Sequence, residues 1–98
     1  MSDITELRKE IDEIDLQLQN LIEKRMDVSK KIGDFKASRG MPVFDAQREE
    51  EKIAELKGRA SAPETAEAVE RIYRAIFETS RNIQHRIAAS QTGTGGCQ

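Results

Sequence analysis

Apolar residues along the first third of the chain fall at Ile4, Leu7, Ile11, Ile14, Leu18 and Leu21, a strict alternation of three and four residues. That spacing is the heptad signature of a long helix with one apolar seam. Continuing the count reaches Arg25, Val28, Ile32 and Phe35, so a single cation interrupts the seam. Asp3 followed by Glu6 makes a capping box at the start, and Gly40 with Pro42 ends the helix after Ser38. Asp45 then caps a shorter helix of about Ala46 to Arg59, with a thin stripe of Ala46, Ile53, Leu56 and Ala60 on which Glu49 also falls. Ser61-Ala62-Pro63-Glu64 opens a third helix running to about Ala89. Its inward positions are Ala66, Val69, Ile72, Tyr73, Ile76, Phe77, Ile83 and Ile87, with Ser80 and Gln84 on the same face at i, i+4. Residues 91–98 are Gly/Thr-rich and are expected to be a disordered tail behind one helical domain over residues 1–90. There is no strand pattern and no internal repeat, so the expected class is all-α.

The first helix changes that picture. At 1.5 Å per residue it makes a rod of about 52 Å. A compact chain of this size has a radius of gyration of roughly 13 Å. The seam therefore overshoots its own domain and needs another chain to cover it, most simply in a two-fold homodimer with the first helices paired. Composition agrees, because 98 residues with 37% hydrophobic and 4% aromatic content supply little for a thick core. The 16 Lys+Arg nearly cancel the 18 Asp+Glu, which argues against a nucleic-acid or membrane-surface binder. Cys97 is the single cysteine, so neither a disulfide nor a cysteine zinc site forms within one chain. No apolar run approaches the roughly 20 residues that span a bilayer, and the start lacks a signal-peptide core. A cytoplasmic protein is expected.

Polar residues occupy positions where leucine would be more stable. At Arg25, leucine could gain about 2 kcal/mol of burial, whereas an unpartnered buried guanidinium costs several kcal/mol. Lys36 follows three turns later, about 16 Å along the same face. Glu49 sits on the second apolar stripe beside Arg48, and Ser80 and Gln84 sit on the third. Each has an ordinary reading alone: Arg25 a register-fixing ion pair, Lys36 a solvated flank, Arg48 and Glu49 first-turn residues, Ser80 a packing contact, Gln84 an edge amide. Together they describe a polar pocket inside a helical bundle. Its cations, carboxylate, amide and hydroxyl suit a small anion with more than one carboxylate and a hydroxyl for Glu49 to accept from. Nothing in it favours covalent or metal chemistry, no cofactor is expected, and His85 receives no role. Conformational capture and charge stabilisation are the chemistry it can offer.

The runs LRKEIDEIDLQLQNLIEKRMDVSKKIGDFK, PVFDAQREEE and SRNIQ resemble the all-α (AroQ-class) chorismate mutases over about residues 4–88. The resemblance implies an intertwined helical homodimer that rearranges chorismate to prephenate, a Claisen rearrangement on the path to phenylalanine and tyrosine. It implies that Arg8 reaches into the partner's site, that Arg25 binds a carboxylate, and that Lys36 contacts a carboxylate and the ether oxygen. By the same resemblance Glu49 accepts the substrate hydroxyl, Asp45 and Arg48 shape and bind the pocket, and Ser80 accompanies Gln84, which donates to the ether oxygen. Geometry supports the trans role, since Arg8 lies about 25 Å along the helix from Arg25 and about 42 Å from Lys36. Antiparallel first helices crossing near Leu18 to Asn20 bring Arg8 of one chain between those two residues of the other. The isochorismate-pyruvate lyase type on the same fold and a non-catalytic dimerisation module are the competing readings; a carboxylate at Glu49 speaks for the mutase. Gly33, costing about 1 kcal/mol in a helix, points to close approach of a ligand, a partner backbone or a packed neighbour.

Overall fold

The computed structural model describes residues 3–96, with side chains described through Ser90. Three helices follow one another: α1 (Ile4–Ser38), α2 (Ala46–Arg59) and α3 (Pro63–Gly96). Each start is chemically specified. Asp3 Oδ1 accepts from the Glu6 backbone N–H at 3.0 Å, Asp45 Oδ1 accepts from that of Arg48 at 3.0 Å, and Pro63 occupies the first position of α3.

The end of α1 aims the loop that borders the site. Gly40 adopts φ +64, and its N–H donates to the Ala37 carbonyl while the Met41 N–H donates to that of Lys36. This is the paired closure of a Schellman motif, which needs a left-handed residue at Gly40. The chain turns back over the last turn of α1, so that Lys36 Nζ donates to the Val43 carbonyl at 3.0 Å.

α3 packs against both α1 and α2, and the core is thin. Ile53 and Phe77 are the buried apolar residues among those described, and Ser29 and Gln84 are buried polar ones. Tyr73 meets Phe77 edge-on at 5.7 Å. Ion pairs on the surface brace α2 to α3, Lys57 with Glu70 and Arg74 with Glu50, and Arg74 also pairs with Glu70 within α3.

Gly33 packs closely against α3. A Cβ there would stand 3.0 Å from Ile87 Cδ1, 3.1 Å from Gln84 Cγ and 3.3 Å from Gln84 Cα. The close neighbour is α3 of the same chain, and glycine lets its backbone approach.

The seam of α1 is open. Ile4, Leu7, Ile11, Ile14, Leu18 and Leu21 are between 47% and 60% exposed, and the chain extends 65 Å along its longest axis. Its radius of gyration, 17.7 Å, exceeds that of a compact chain of this length, as the rod argument requires.

Two expectations need correction. Ile72 is exposed, because the apolar groove between α1 and α3 that it borders with Ile22, Met26 and Ile76 stands open. The α3 backbone stays helical through Gly96, past the expected end at about Ala89. No proline interrupts that stretch, and adding a residue to an established helix needs no new nucleation. The side chains of 91–96, and all of Cys97 and Gln98, lie outside the described residues. Among the described residues no helix is long and apolar enough to cross a membrane.

Candidate active site

An open cleft of about 360 Å³ lies between the three helices and the loop that joins α1 to α2. Arg25, Lys36, Asp45, Arg48, Glu49, Ser80 and Gln84 all line it. Helical spacing explains the meeting. From Arg25 to Ile32 and Lys36, α1 turns one stripe to the cleft, and Phe77, Ser80, Arg81 and Gln84 do the same on α3. α2 contributes its first turn, because Asp45 caps it there and Arg48 and Glu49 follow at once.

Arg25 is half-buried, less deeply than a seam position suggests. Its Nη1 donates to Ser80 Oγ at 2.7 Å, and its guanidinium lies 5.5 Å from the Phe77 ring centroid. The aromatic face and the hydroxyl offset part of its desolvation, which is how the bundle tolerates a cation at this level. Lys36 is held at the rim by the Val43 carbonyl, and among the described residues no carboxylate pairs with its ammonium.

Gln84 departs from expectation in detail. It is 7% exposed, and Nε2 donates both to the Ser29 carbonyl at 3.2 Å and to Ser29 Oγ at 3.1 Å. Its amide protons are turned to α1, so a guest's oxygen must compete with the Ser29 hydroxyl for one of them. Sequence reasoning misses Ser29, although it lies one turn after Arg25 and one heptad before Lys36, a spacing that marks the same face. It also misses Arg81, which borders the cleft three residues before Gln84 and whose Nη1 donates to Glu49 Oε1. In the linear chain, a polar residue next to Ser80 reads as a solvated flank.

Arg8 is the expected site residue that this chain does not bring to the cleft. It is exposed on the projecting half of α1.

Five cations, including Lys52 and Arg81, line the cleft against the carboxylates of Asp45 and Glu49. Such a lining can attract an anion and can bond its carboxylates by charge-assisted hydrogen bonds. Among the described residues no group of three or more His, Cys, Asp or Glu could hold a metal ion.

Known proteins share this chain's pattern. The family model for chorismate mutase type II matches residues 7–85. The bifunctional chorismate mutase/prephenate dehydratase of Aquifex aeolicus is 32% identical over 97 residues, which are 95% of this chain and 27% of that protein. This chain thus spans about a quarter of that relative's length. The chorismate mutase of Methanocaldococcus jannaschii is 39% identical over 46 residues, covering 47% of this chain and 46% of its own. The structure of chorismate mutase (Form II) from Thermus thermophilus superposes with a TM-score of 0.80 at 30% identity, over 85% of this chain and 94% of that one. With three helices in the same arrangement and most of its length inside the match, the chain belongs to the chorismate mutase type II family.

Proposed function

We propose that this chain is an isomerase that binds chorismate and rearranges it to prephenate for phenylalanine and tyrosine biosynthesis, working as a cytoplasmic homodimer. The single observation that carries the reading is the cleft: nine polar residues, from three helices and the cap of α2 and spread from position 25 to position 84, line one 360 Å³ space. A non-catalytic module has no reason to keep cations there, where apolar side chains would pack better.

The mechanism uses binding and charge. Arg25 and Arg48 hold carboxylates, and Arg8 of a second copy closes the clamp, so that the substrate stays in its compact, reactive conformer. As the C–O bond breaks, negative charge grows on the ether oxygen. Lys36 meets it from the rim, and Gln84 meets it by exchanging the Ser29 hydroxyl for that oxygen, one hydrogen bond replacing another. Glu49 accepts from the substrate hydroxyl, Asp45 keeps the first turn of α2 in place, and Ser80 holds the Arg25 guanidinium level with the cleft. A millionfold acceleration requires about 8 kcal/mol, within reach of such effects without proton transfer.

The dimer is supported by the open seam of α1, whose apolar side chains one chain leaves to water. Incubation with chorismate and isochorismate in turn, with product identification, tests the reading. Prephenate from chorismate is the expected result; salicylate and pyruvate from isochorismate alone would assign the lyase reaction instead, and no turnover of either would return the module reading.

A further inference from the structure

Arg81 and Lys52 are cleft cations that the proposed mechanism leaves unused, and of the two it is Arg81 that bonds Glu49. Its Nη1 donates to Glu49 Oε1, linking α3 to the first turn of α2, and its guanidinium lies 5.0 Å from the Phe44 ring centroid. The pair is sheltered: the side chains of Arg81 and Glu49 are 29% and 18% exposed, against 46% and 63% for Arg74 and Glu50 on the surface. With one edge bonded and one face covered by an aromatic ring, this guanidinium is restrained on two sides before any guest arrives.

Glu49 has more to gain from that restraint than Arg81 does. Its side chain has several rotamers, and Arg25, Lys36, Arg48 and Lys52 border the same space. Any of them would draw a loose carboxylate into an ion pair and away from a guest. Among the described residues Arg81 is the partner the carboxylate finds, and it takes Oε1 alone, which leaves Oε2 to accept a hydrogen bond from a ligand. We propose that Arg81 is a positioning residue that fixes the Glu49 carboxylate with one oxygen turned to the substrate hydroxyl, and thereby sets the site's selectivity for the hydroxylated substrate. The inference rests on the reading of the cleft as a chorismate site and deepens it.

A plain brace between α2 and α3 would weaken every substrate alike, and so would the loss of one positive charge, because both test substrates are dianions. Selectivity separates the readings. The experiment compares kcat/KM for chorismate with that for the analogue whose ring hydroxyl is replaced by hydrogen, in the wild type, Arg81→Leu and Arg81→Lys. Arg81→Leu is expected to lower the value for chorismate about tenfold or more while the analogue changes less than about threefold, since only a site built around a hydroxyl feels its absence. Arg81→Lys, which keeps one charged donor for Glu49, retains most of the preference. In the background of Glu49→Gln, Arg81→Leu has no further effect on selectivity. Should Arg81→Leu fail to fold, Arg81→Gln takes its place with the same readout. Equal losses on both substrates, or undiminished activity on chorismate, overturn the inference. A wild-type chain inactive on chorismate overturns the proposed function instead.

Discussion

Replacing Gly33 and Gly58 in turn by alanine applies one chemical change at two helical sites with opposite expected outcomes. Alanine is favoured over glycine by about 1 kcal/mol inside a helix. At Gly58, in the last turn of α2, an added Cβ meets nothing within 4 Å, so the gain stands with no steric cost. Half of it or more is expected, about 0.5–1 kcal/mol, which raises Tm by a few degrees in a domain of this size. At Gly33 the same Cβ lands 3.0 Å from Ile87 Cδ1, 3.1 Å from Gln84 Cγ and 3.3 Å from Gln84 Cα. Ile87 can swing its terminal methyl aside, but the Gln84 Cα moves only with α3. Overpacking of this kind costs about 1–3 kcal/mol, so it offsets or exceeds the propensity gain and leaves Gly33→Ala between neutral and about 2 kcal/mol less stable. Function should suffer beyond that. Gln84 is held to Ser29 by bonds of 3.1 and 3.2 Å, and pushing its Cγ breaks the register of the amide. A fall of about tenfold in kcat is expected, since sub-ångström misplacement of a reacting group carries penalties of that order. Urea titration gives the stabilities and loss of chorismate absorbance gives the rates. A Gly33→Ala chain as stabilised as Gly58→Ala and fully active would refute the close-approach argument.

The site and the surface lead to three further outcomes. Arg25→Leu loses one charged hydrogen bond to Ser80 and gains partial burial, so stability should stay within about 1 kcal/mol while kcat/KM falls by about two to three orders of magnitude; full activity would remove Arg25 from the clamp. Mixing Arg8→Ala chains with Lys36→Ala chains, each inactive alone, should restore about one working site per heterodimer, and no recovery after subunit exchange would deny shared sites. At the surface, hydrogen bonds from Arg74 hold the Glu50 carboxyl below its ordinary 4.5, and bonds from Lys57 and then Arg74 do the same for Glu70. A depressed carboxyl contributes stability above its unfolded value and loses it as pH falls through the folded one. The difference in stability between wild type and Arg74→Gln should therefore shrink below about pH 4.5 and in high salt; a difference that grows on acidification would contradict the network.

The helices are legible in the linear chain because their signals are local. Asp3, Asp45 and Pro63 mark three starts and Gly40 marks an end, and each acts on backbone groups within four residues of itself. Arg25, Glu49, Ser80 and Gln84 stand out because a polar residue on an apolar stripe is an anomaly whatever the stripe packs against, and Lys36 because it repeats the charge of Arg25 three turns on. The chain also announces, through the sheer length of its first seam, that one copy cannot cover its own apolar surface. What lies across the cleft is decided elsewhere. That Ser29 takes the amide protons of Gln84, that Arg81 holds Glu49, and that the Val43 carbonyl fixes Lys36 depend on how α3 crosses α1 and where the Schellman turn aims the loop beyond it. Ser29 and Arg81 are ordinary polar residues by sequence, and only the approach of a second helix gives them partners. Ile72 shows the converse, an apolar residue on the expected face that packing leaves uncovered. Periodicity reports which side of a helix turns inward; it carries no record of the distance to what it meets there, and hydrogen bonds are made or lost within a few tenths of an ångström.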